Sequence, residues 1–309
     1  MPEQEIIRHP QIDGLHLFLN TIVYRTLHVH PEWELLLVLD EHLIVAYEQQ
    51  EYTIAPGQMV LLSPNQPHGF HKVQEGCTFL CLQMAPRCFP VSEHLCIDDI
   101  CPAEHLTPRE YQWAQGMLLN TMRAYLERPA YYELLCTGNA NLLLHRLLTR
   151  MPTRCMSPNE ADDRAERNAR LVRLIDFVDK NYMHKIQLST FAAMENRSMS
   201  YLSHFAKKTL NQSFRDYVNT VRFNCACKLI AAGNHRMLDV CMESGFSDYR
   251  YFSKTFQQKV GMTPEAYSRL PQAAVEDERK LHHSLHSKEC FYSREKSLTL
   301  LSQFEAKYR

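Results

Sequence analysis

The sequence predicts a multidomain α+β protein: an N-terminal β-barrel with a helical segment behind it, then an all-α half built on two helix-turn-helix units. Three observations carry that reading. Short apolar runs broken by turn residues fill positions 15–82, helix-period apolar spacing takes over after Pro108, and charge is divided between the halves. Residues 1–150 hold 9 Lys/Arg against 17 Asp/Glu, net −8, whereas residues 180–270 hold 13 against 6, net +7. A duplex is a dense line of phosphates, so the basic segment is where nucleic acid would sit. At 309 residues the chain is long enough for two cores.

Residues 1–105 form the predicted barrel. Glu34–Leu39, Leu43–Tyr47 and Met59–Leu62 are strand-length apolar bursts, and Pro56-Gly57 and Pro64-Asn65 punctuate them. Residues 106–150 read as two helices, Tyr111 to Leu126 and Tyr132 to Leu148. The second carries a stripe of Leu135, Leu142, Leu143, Leu147 and Leu148 that needs a partner. Packing on the barrel or on a second subunit would satisfy it. Two prolines, Asn, Ser and acidic residues mark 151–163 as a linker. A helix is expected from near Arg164, with Leu171, Leu174, Ile175 and Val178 on one face.

The first helix-turn-helix unit runs from Leu188 to Met194, turns at Glu195–Arg197, and continues as a second helix over about 199–209. Ser198 is its expected N-cap, and Asn211 its stop signal. Leu202 and Phe205 face inward, leaving Ser200, Ser203, His204, Lys207 and Lys208 for the groove. The second unit repeats the plan. Gly245 turns the chain, Phe246 plugs the core, Ser247 is the expected cap, and a helix over about 248–257 presents Tyr249, Arg250, Ser253 and Lys254. Gly261 ends it, and Thr263-Pro264 opens a last short helix. Two such units in one chain can address two successive major-groove segments. The Arg250 fork suits guanine O6 and N7, whereas Lys207, Lys208 and Lys254 suit phosphates.

In the barrel, His28-Val-His30-Pro-Glu-Trp-Glu34 puts three potential ligands at spacings of two and four, which on one strand would point to one face, and the later His68 adds a third imidazole. That set fits a divalent first-row metal. A metal-free pocket is the other reading. Trp33 and Tyr47 are candidate stacking surfaces for a small ligand, and equally ordinary core residues. Eleven cysteines without a secretory leader pattern point to a reducing cytoplasm, and Cys225 and Cys227 read as thiols on a helix. No run approaches 18 apolar residues, so no membrane span is expected. Residues 271–309, with clustered charges and His282, His283 and His286, read as a largely disordered tail with one loose helix.

The stretch Gly245-Phe-Ser-Asp-Tyr-Arg-Tyr-Phe-Ser-Lys-Thr-Phe256, with Gly261-Met-Thr-Pro-Glu-Ala-Tyr267 behind it, resembles the signature of the AraC/XylS family of bacterial transcription regulators. Ser200-Tyr-Leu-Ser-His-Phe205 with Lys207-Lys208 and Ser213-Phe214 resembles its first unit. Two departures are the alanine at 206, where the family has an aromatic, and Asn211, where it has glycine. Residues 26–71 are similar to the cupin barrel, and His28, His30, Glu34 and His68 match its metal pattern. The resemblance implies a sequence-specific, double-stranded-DNA-binding regulator, by family expectation an activator contacting RNA polymerase, with repression by occlusion the other reading. It implies a small-molecule effector, for which a carbohydrate is the family expectation, and the apolar stripes of 106–150 point to a homodimer contact there. His28, His30, Trp33, Glu34, Tyr47 and His68 would line the effector site, with no cofactor required and a divalent metal as an option. The alternative is a metal-dependent cupin enzyme with a helical appendage, which leaves the second signature unexplained.

Overall fold

The computed structural model describes residues 11–48, 50–72, 76–89, 94–210, 212–232, 236–269, 279–283 and 287–308. Asn211 and His286 lie outside them. The N-terminal half is an antiparallel sheet curled around its own core. Its strands are β1 (Leu15–His28), β2 (Trp33–Val38), β3 (Leu43–Tyr47), β4 (Gln50–Ile54), β5 (Met59–Leu62), β6 (His68–Lys72) and β7 (Cys77–Met84). Their order across the sheet is β4-β3-β6-β1-β7-β2-β5. The long β1 makes this curl possible, since residues 15–22 pair with β7 while residues 24–28 have turned to pair with β6. Strands buried on both faces explain the continuous apolar runs: every residue of β2, β5 and β7 is buried.

Behind the barrel, α1 (Pro108–Glu127) and α2 (Tyr132–Arg150) form an antiparallel pair. Thr107 and Glu110 close a reciprocal capping box that starts α1. The α2 stripe splits between two directions. Leu143, Leu144 and Leu147 join the barrel core, whereas Leu134, Leu135 and Leu142 point outward, with Leu134 75% and Leu142 53% exposed.

Two expectations about connecting segments need correction. Residues 151–163 are not a bare linker. Strand β9 (Thr153–Cys155) pairs with β8 (Leu95–Ile97), and α3 (Pro158–Asn181) starts six residues before Arg164. Ser157 and Glu160 form a second capping box, and Pro158 occupies the first turn, where its missing amide hydrogen costs nothing. The segment 271–309 is not largely disordered where it is described. β10 (Arg279–His283) pairs with β11 (Ser287–Tyr292), and β11 pairs with β1 through registers from Asn20↔Phe291 to Arg25↔Ser287. Glu289 accepts hydrogen bonds from Asn20 Nδ2 at 2.5 Å and Arg25 Nη1 at 3.0 Å inside the sheet. The final helix α10 (Arg294–Tyr308) then buries Leu301 and Phe304 in the barrel core and pairs Glu305 with Arg123 of α1 at 2.7 Å.

The C-terminal half holds two small cores. The first joins α3, α4 (Leu188–Met194), α5 (Met199–Leu210) and the start of α6 (Phe214–Ala232). The second joins the rest of α6 with α7 (Met237–Glu243), α8 (Tyr249–Val260) and α9 (Pro264–Ser268). Leu27, near the end of β1, packs against the first of these cores. Among the described residues, no helix is long and apolar enough to cross a membrane.

Candidate ligand pocket and nucleic-acid interface

The four barrel residues singled out in the sequence converge, though not from one strand. His28 ends β1, His30 lies in the turn after it, Glu34 is on β2, and His68 opens β6 directly opposite His28 in register. The His28 and His68 rings lie 4.2 Å apart, and those of His30 and His68 4.9 Å. Glu34 Oε2 sits 3.0 Å from His68 Nε2 and 3.4 Å from His30 Nε2. All four side chains are buried. The ligand atoms of His28, His30 and His68 lie within 4.8 Å of one another.

The surrounding hydrogen bonds aim these groups. His28 Nδ1 lies 3.1 Å from the Thr26 carbonyl and His68 Nδ1 2.8 Å from the Gln66 carbonyl. A carbonyl can only accept, so each Nδ1 is the donor in its bond. Glu34 Oε1 is held from the other side by Cys81 Sγ and Gln83 Nε2, each at 3.1 Å. Burial pushes the His28 imidazole well below its ordinary value, which keeps it neutral. Burial opposes charge on Glu34 too, but its hydrogen bonds with His30 and His68 outweigh that and hold the carboxyl well below the usual range. His28, His30 and His68, with the Glu34 carboxylate against two of them, are groups that could hold a metal ion.

The two aromatic candidates part company. Trp33 is only 1% exposed and packs in the barrel core, so it has no face to offer a ligand. Tyr47 is also buried, but it borders a cleft of about 640 Å³ between the barrel and the helical half, whose lining includes Gln66, Tyr201 and Lys208. A second cleft of about 630 Å³ reaches His30 itself, with Asn65, His94, Asn168 and Arg173 in its walls.

On α5, Leu202, Phe205, Ala206 and Leu210 are buried, and Ser200, Ser203, His204, Lys207 and Lys208 are exposed. Ser198 accepts from the Tyr201 amide at 3.2 Å and starts the helix. On α8, Phe252, Thr255 and Phe256 turn inward, Arg250 and Lys254 are exposed, and Ser253 is half-buried. The cap there is Asp248, not Ser247: its carboxylate accepts from the Tyr251 amide at 2.7 Å. Tyr249 does not project like its neighbours. It is half-buried, packs on Phe252, and donates its hydroxyl to Glu265 of α9. Its position is that of a buttress for α8.

Sequence reasoning missed the ion network that mounts the first unit. Arg170 of α3 donates from Nε to Glu195 at 3.1 Å and from Nη1 to the Tyr201 hydroxyl at 2.9 Å. Arg173 reaches Glu195 at 2.6 Å, and Glu166 bridges both arginines. Spaced charges on one helix give no sign of which turn they will grip.

Comparison with known proteins agrees with this division. Residues 9–90 match the family model described as an AraC-like ligand binding domain, and residues 191–270 match that of a helix-turn-helix domain. The HTH-type transcriptional regulator YdeC of Bacillus subtilis (strain 168) is 23% identical over 260 residues, 80% of this chain and 87% of its own. An HTH-type transcriptional regulator of Staphylococcus aureus (strain MSSA476) is 24% identical over 117 residues, which are 38% of this chain and 16% of that protein. Among solved structures, ToxT from Vibrio cholerae O395 aligns over 82% of this chain and 97% of its own at 12% identity, with a TM-score of 0.42. The C-terminal domain of the response regulator yesN from Fusobacterium nucleatum aligns over 31% and 93% at 25% identity, with a TM-score of 0.30.

Proposed function

The chain belongs to the AraC-type transcriptional regulators, DNA-binding proteins with an N-terminal ligand-binding domain, and from that premise we propose that it reads DNA with α5 and α8 under the control of the buried histidine site. The observation that carries this reading is the paired exposure of polar and basic residues on two capped helices. Ser200, Ser203, His204 and Arg250, all exposed, would meet base edges, with the half-buried Ser253 beside them. Lys207, Lys208 and Lys254, also exposed, would meet phosphates and set the register.

The barrel site fits a divalent first-row metal. His28, His30 and His68 would bind through nitrogen and Glu34 through Oε2. Ligand atoms about 2.0–2.2 Å from one ion lie roughly 3–4 Å apart, so the cluster needs only a small closure. A bound ion would supply a fixed positive charge and a position for an oxygen donor of the effector. The effector enters by the clefts beside His30 and Tyr47. A carbohydrate remains the family expectation for it, and with Trp33 in the core, Tyr47 is the aromatic left to meet a sugar.

The outward leucines of α2, Leu134, Leu135 and Leu142, fit an isologous contact in a homodimer. Activation through RNA polymerase, a cytoplasmic location and the absence of catalysis complete the reading. Binding-site selection followed by footprinting, with and without Mn²⁺, Co²⁺, Zn²⁺ and a panel of sugars, tests it. Protection of two adjacent major-groove segments, shifted by one of these additions, is expected. Uniform, sequence-independent binding under every condition would overturn it.

A further inference from the structure

Residues 63–68 stand between the histidine site and the DNA-binding half, and they touch both. The Gln66 carbonyl accepts from His68 Nδ1 at 2.8 Å, and the Asn65 amide donates to the His30 carbonyl at 2.8 Å. On the opposite side, Arg164 Nη2 of α3 donates to the Pro64 carbonyl at 3.0 Å, and Asn168 Nδ2 donates to the Asn65 carbonyl at 2.7 Å. One peptide segment therefore orients two of the four proposed metal-binding residues and anchors the helix that leads to the first helix-turn-helix unit.

The segment is built to transmit displacement. Pro64 and Pro67 fix their own φ angles and restrict Ser63 and Gln66 before them. Ser63 is pinned by the Ile97 amide at 3.1 Å, and Gln66 Nε2 by Glu48 at 3.0 Å. Asn65 sits at φ +56°, a left-handed conformation that asparagine tolerates and that turns its carbonyl toward α3. The helix is equally stiff over the distance that matters. From Arg164 to Arg173 it covers nine residues, about 14 Å at 1.5 Å per residue. The far end of that stretch grips the turn and second helix of the first unit through Arg170–Glu195, Arg170–Tyr201 and Arg173–Glu195.

We propose that metal loading at His28, His30, Glu34 and His68 sets the pose of the first helix-turn-helix unit through residues 63–68 and α3, with Asn168 as the positioning residue of the joint. This rests on the metal reading above. Drawing His30 and His68 onto one ion moves the Asn65 and Gln66 peptides. The Asn168 and Arg164 bonds carry that movement into α3, and the arginine clamp carries it to Glu195 and Tyr201. Coupling of this kind is reciprocal, so DNA that selects one pose of α5 changes metal affinity by the same factor.

The test uses the full chain titrated with Co²⁺, whose visible absorption bands report loading. Amide hydrogen exchange by mass spectrometry reports the consequence. Loading is expected to slow exchange at 63–68 and, by about 5-fold or more, at 188–210, within the usual range of allosteric coupling. Asn168→Ala, a half-buried position, should keep the Co²⁺ bands and the far-UV circular dichroism while losing most of the effect at 188–210. His68→Ala should lose the bands and both effects. Co²⁺ bands with protection confined to the barrel overturn the coupling and leave the metal site standing. Full transmission in Asn168→Ala overturns the route. No Co²⁺ bands in the unaltered chain overturn the metal reading and the coupling together.

Discussion

Gly245 is the residue on which the second helix-turn-helix unit turns, and replacing it by alanine has a cost that can be worked out from its surroundings. Its φ is +86°, where a side chain costs about 1–2 kcal/mol. An added Cβ would lie 2.6 Å from the Tyr182 carbonyl oxygen and 2.8 Å from Met183 Cα. Both are backbone atoms and cannot rotate aside, so overpacking adds about 1–3 kcal/mol. The sum is about 2–5 kcal/mol, a large share of the stability of a domain.

Gly261 supplies the comparison that isolates the steric part. It also has positive φ, +72°, but an added Cβ would meet nothing within 4 Å. Gly261→Ala should therefore cost only the conformational 1–2 kcal/mol or so. A global melt would mix three cores, so the measurement is native-state hydrogen exchange of peptides from α7 and α8. Gly245→Ala should speed their exchange by about 30-fold or more, since each 1.4 kcal/mol is tenfold. Gly261→Ala should fall short of it. Equal effects from the two substitutions, or a change under about 2-fold in Gly245→Ala, would refute the reasoning. DNA affinity should drop with the exchange protection, because α8 hangs from this turn.

Other perturbations address the remaining parts. Arg250→Ala should cost about 1–3 kcal/mol on a selected DNA site and little on random duplex, measured by anisotropy at fixed salt; equal weakening on both assigns Arg250 to phosphate. Glu289→Leu removes the carboxylate that Arg25 and Asn20 share inside the sheet, and should cost about 3–5 kcal/mol in urea unfolding followed by tryptophan emission. An unchanged midpoint would mean that β11 is not docked. Leu142→Glu should shift sedimentation from dimer to monomer if the outer face of α2 is a subunit contact. Glu195 is held below its ordinary value by hydrogen bonds from Arg173 and then Arg170. Its contribution is therefore complete above the unfolded value of about 4.3 and lost as pH falls through the lower folded value. Exchange at α4 and α5 should accelerate selectively in that window, and an unchanged pattern would remove the clamp from the account.

Local signals in this chain survive the step to three dimensions, and their limits are physical. Ser198, Thr263, Gly245 and Gly261 do what their residue types require, because a cap or a left-handed turn is decided within a few positions. The choice of Asp248 over Ser247 shows the resolution of that argument: two good acceptors stand side by side, and either could cap. His28, His30, Glu34 and His68 were legible as a set by chemistry, although the strand break after His28 was not. Trp33 and Tyr47 share a composition signal, and only the sheet decides that one is sealed in and the other borders a cleft.

What stayed hidden is long-range pairing. The tail reads as solvated charge because its partners lie far away in the chain: Glu289 is satisfied by Asn20 and Arg25, and Leu301 and Phe304 by the core that the barrel shares with α1 and α2. The joint between the halves is hidden for a different reason. Asn168 and Arg164 meet carbonyl oxygens of Asn65 and Pro64, and every residue has a carbonyl, so no side-chain pattern announces the bond. Residues that bind a ligand must carry particular chemistry and can be read singly. Residues that couple one half to the other need only a donor at the right place, which makes the coupling visible in geometry alone. That is why the histidine cluster could be named from the sequence, and why the path from it to α5 required the fold.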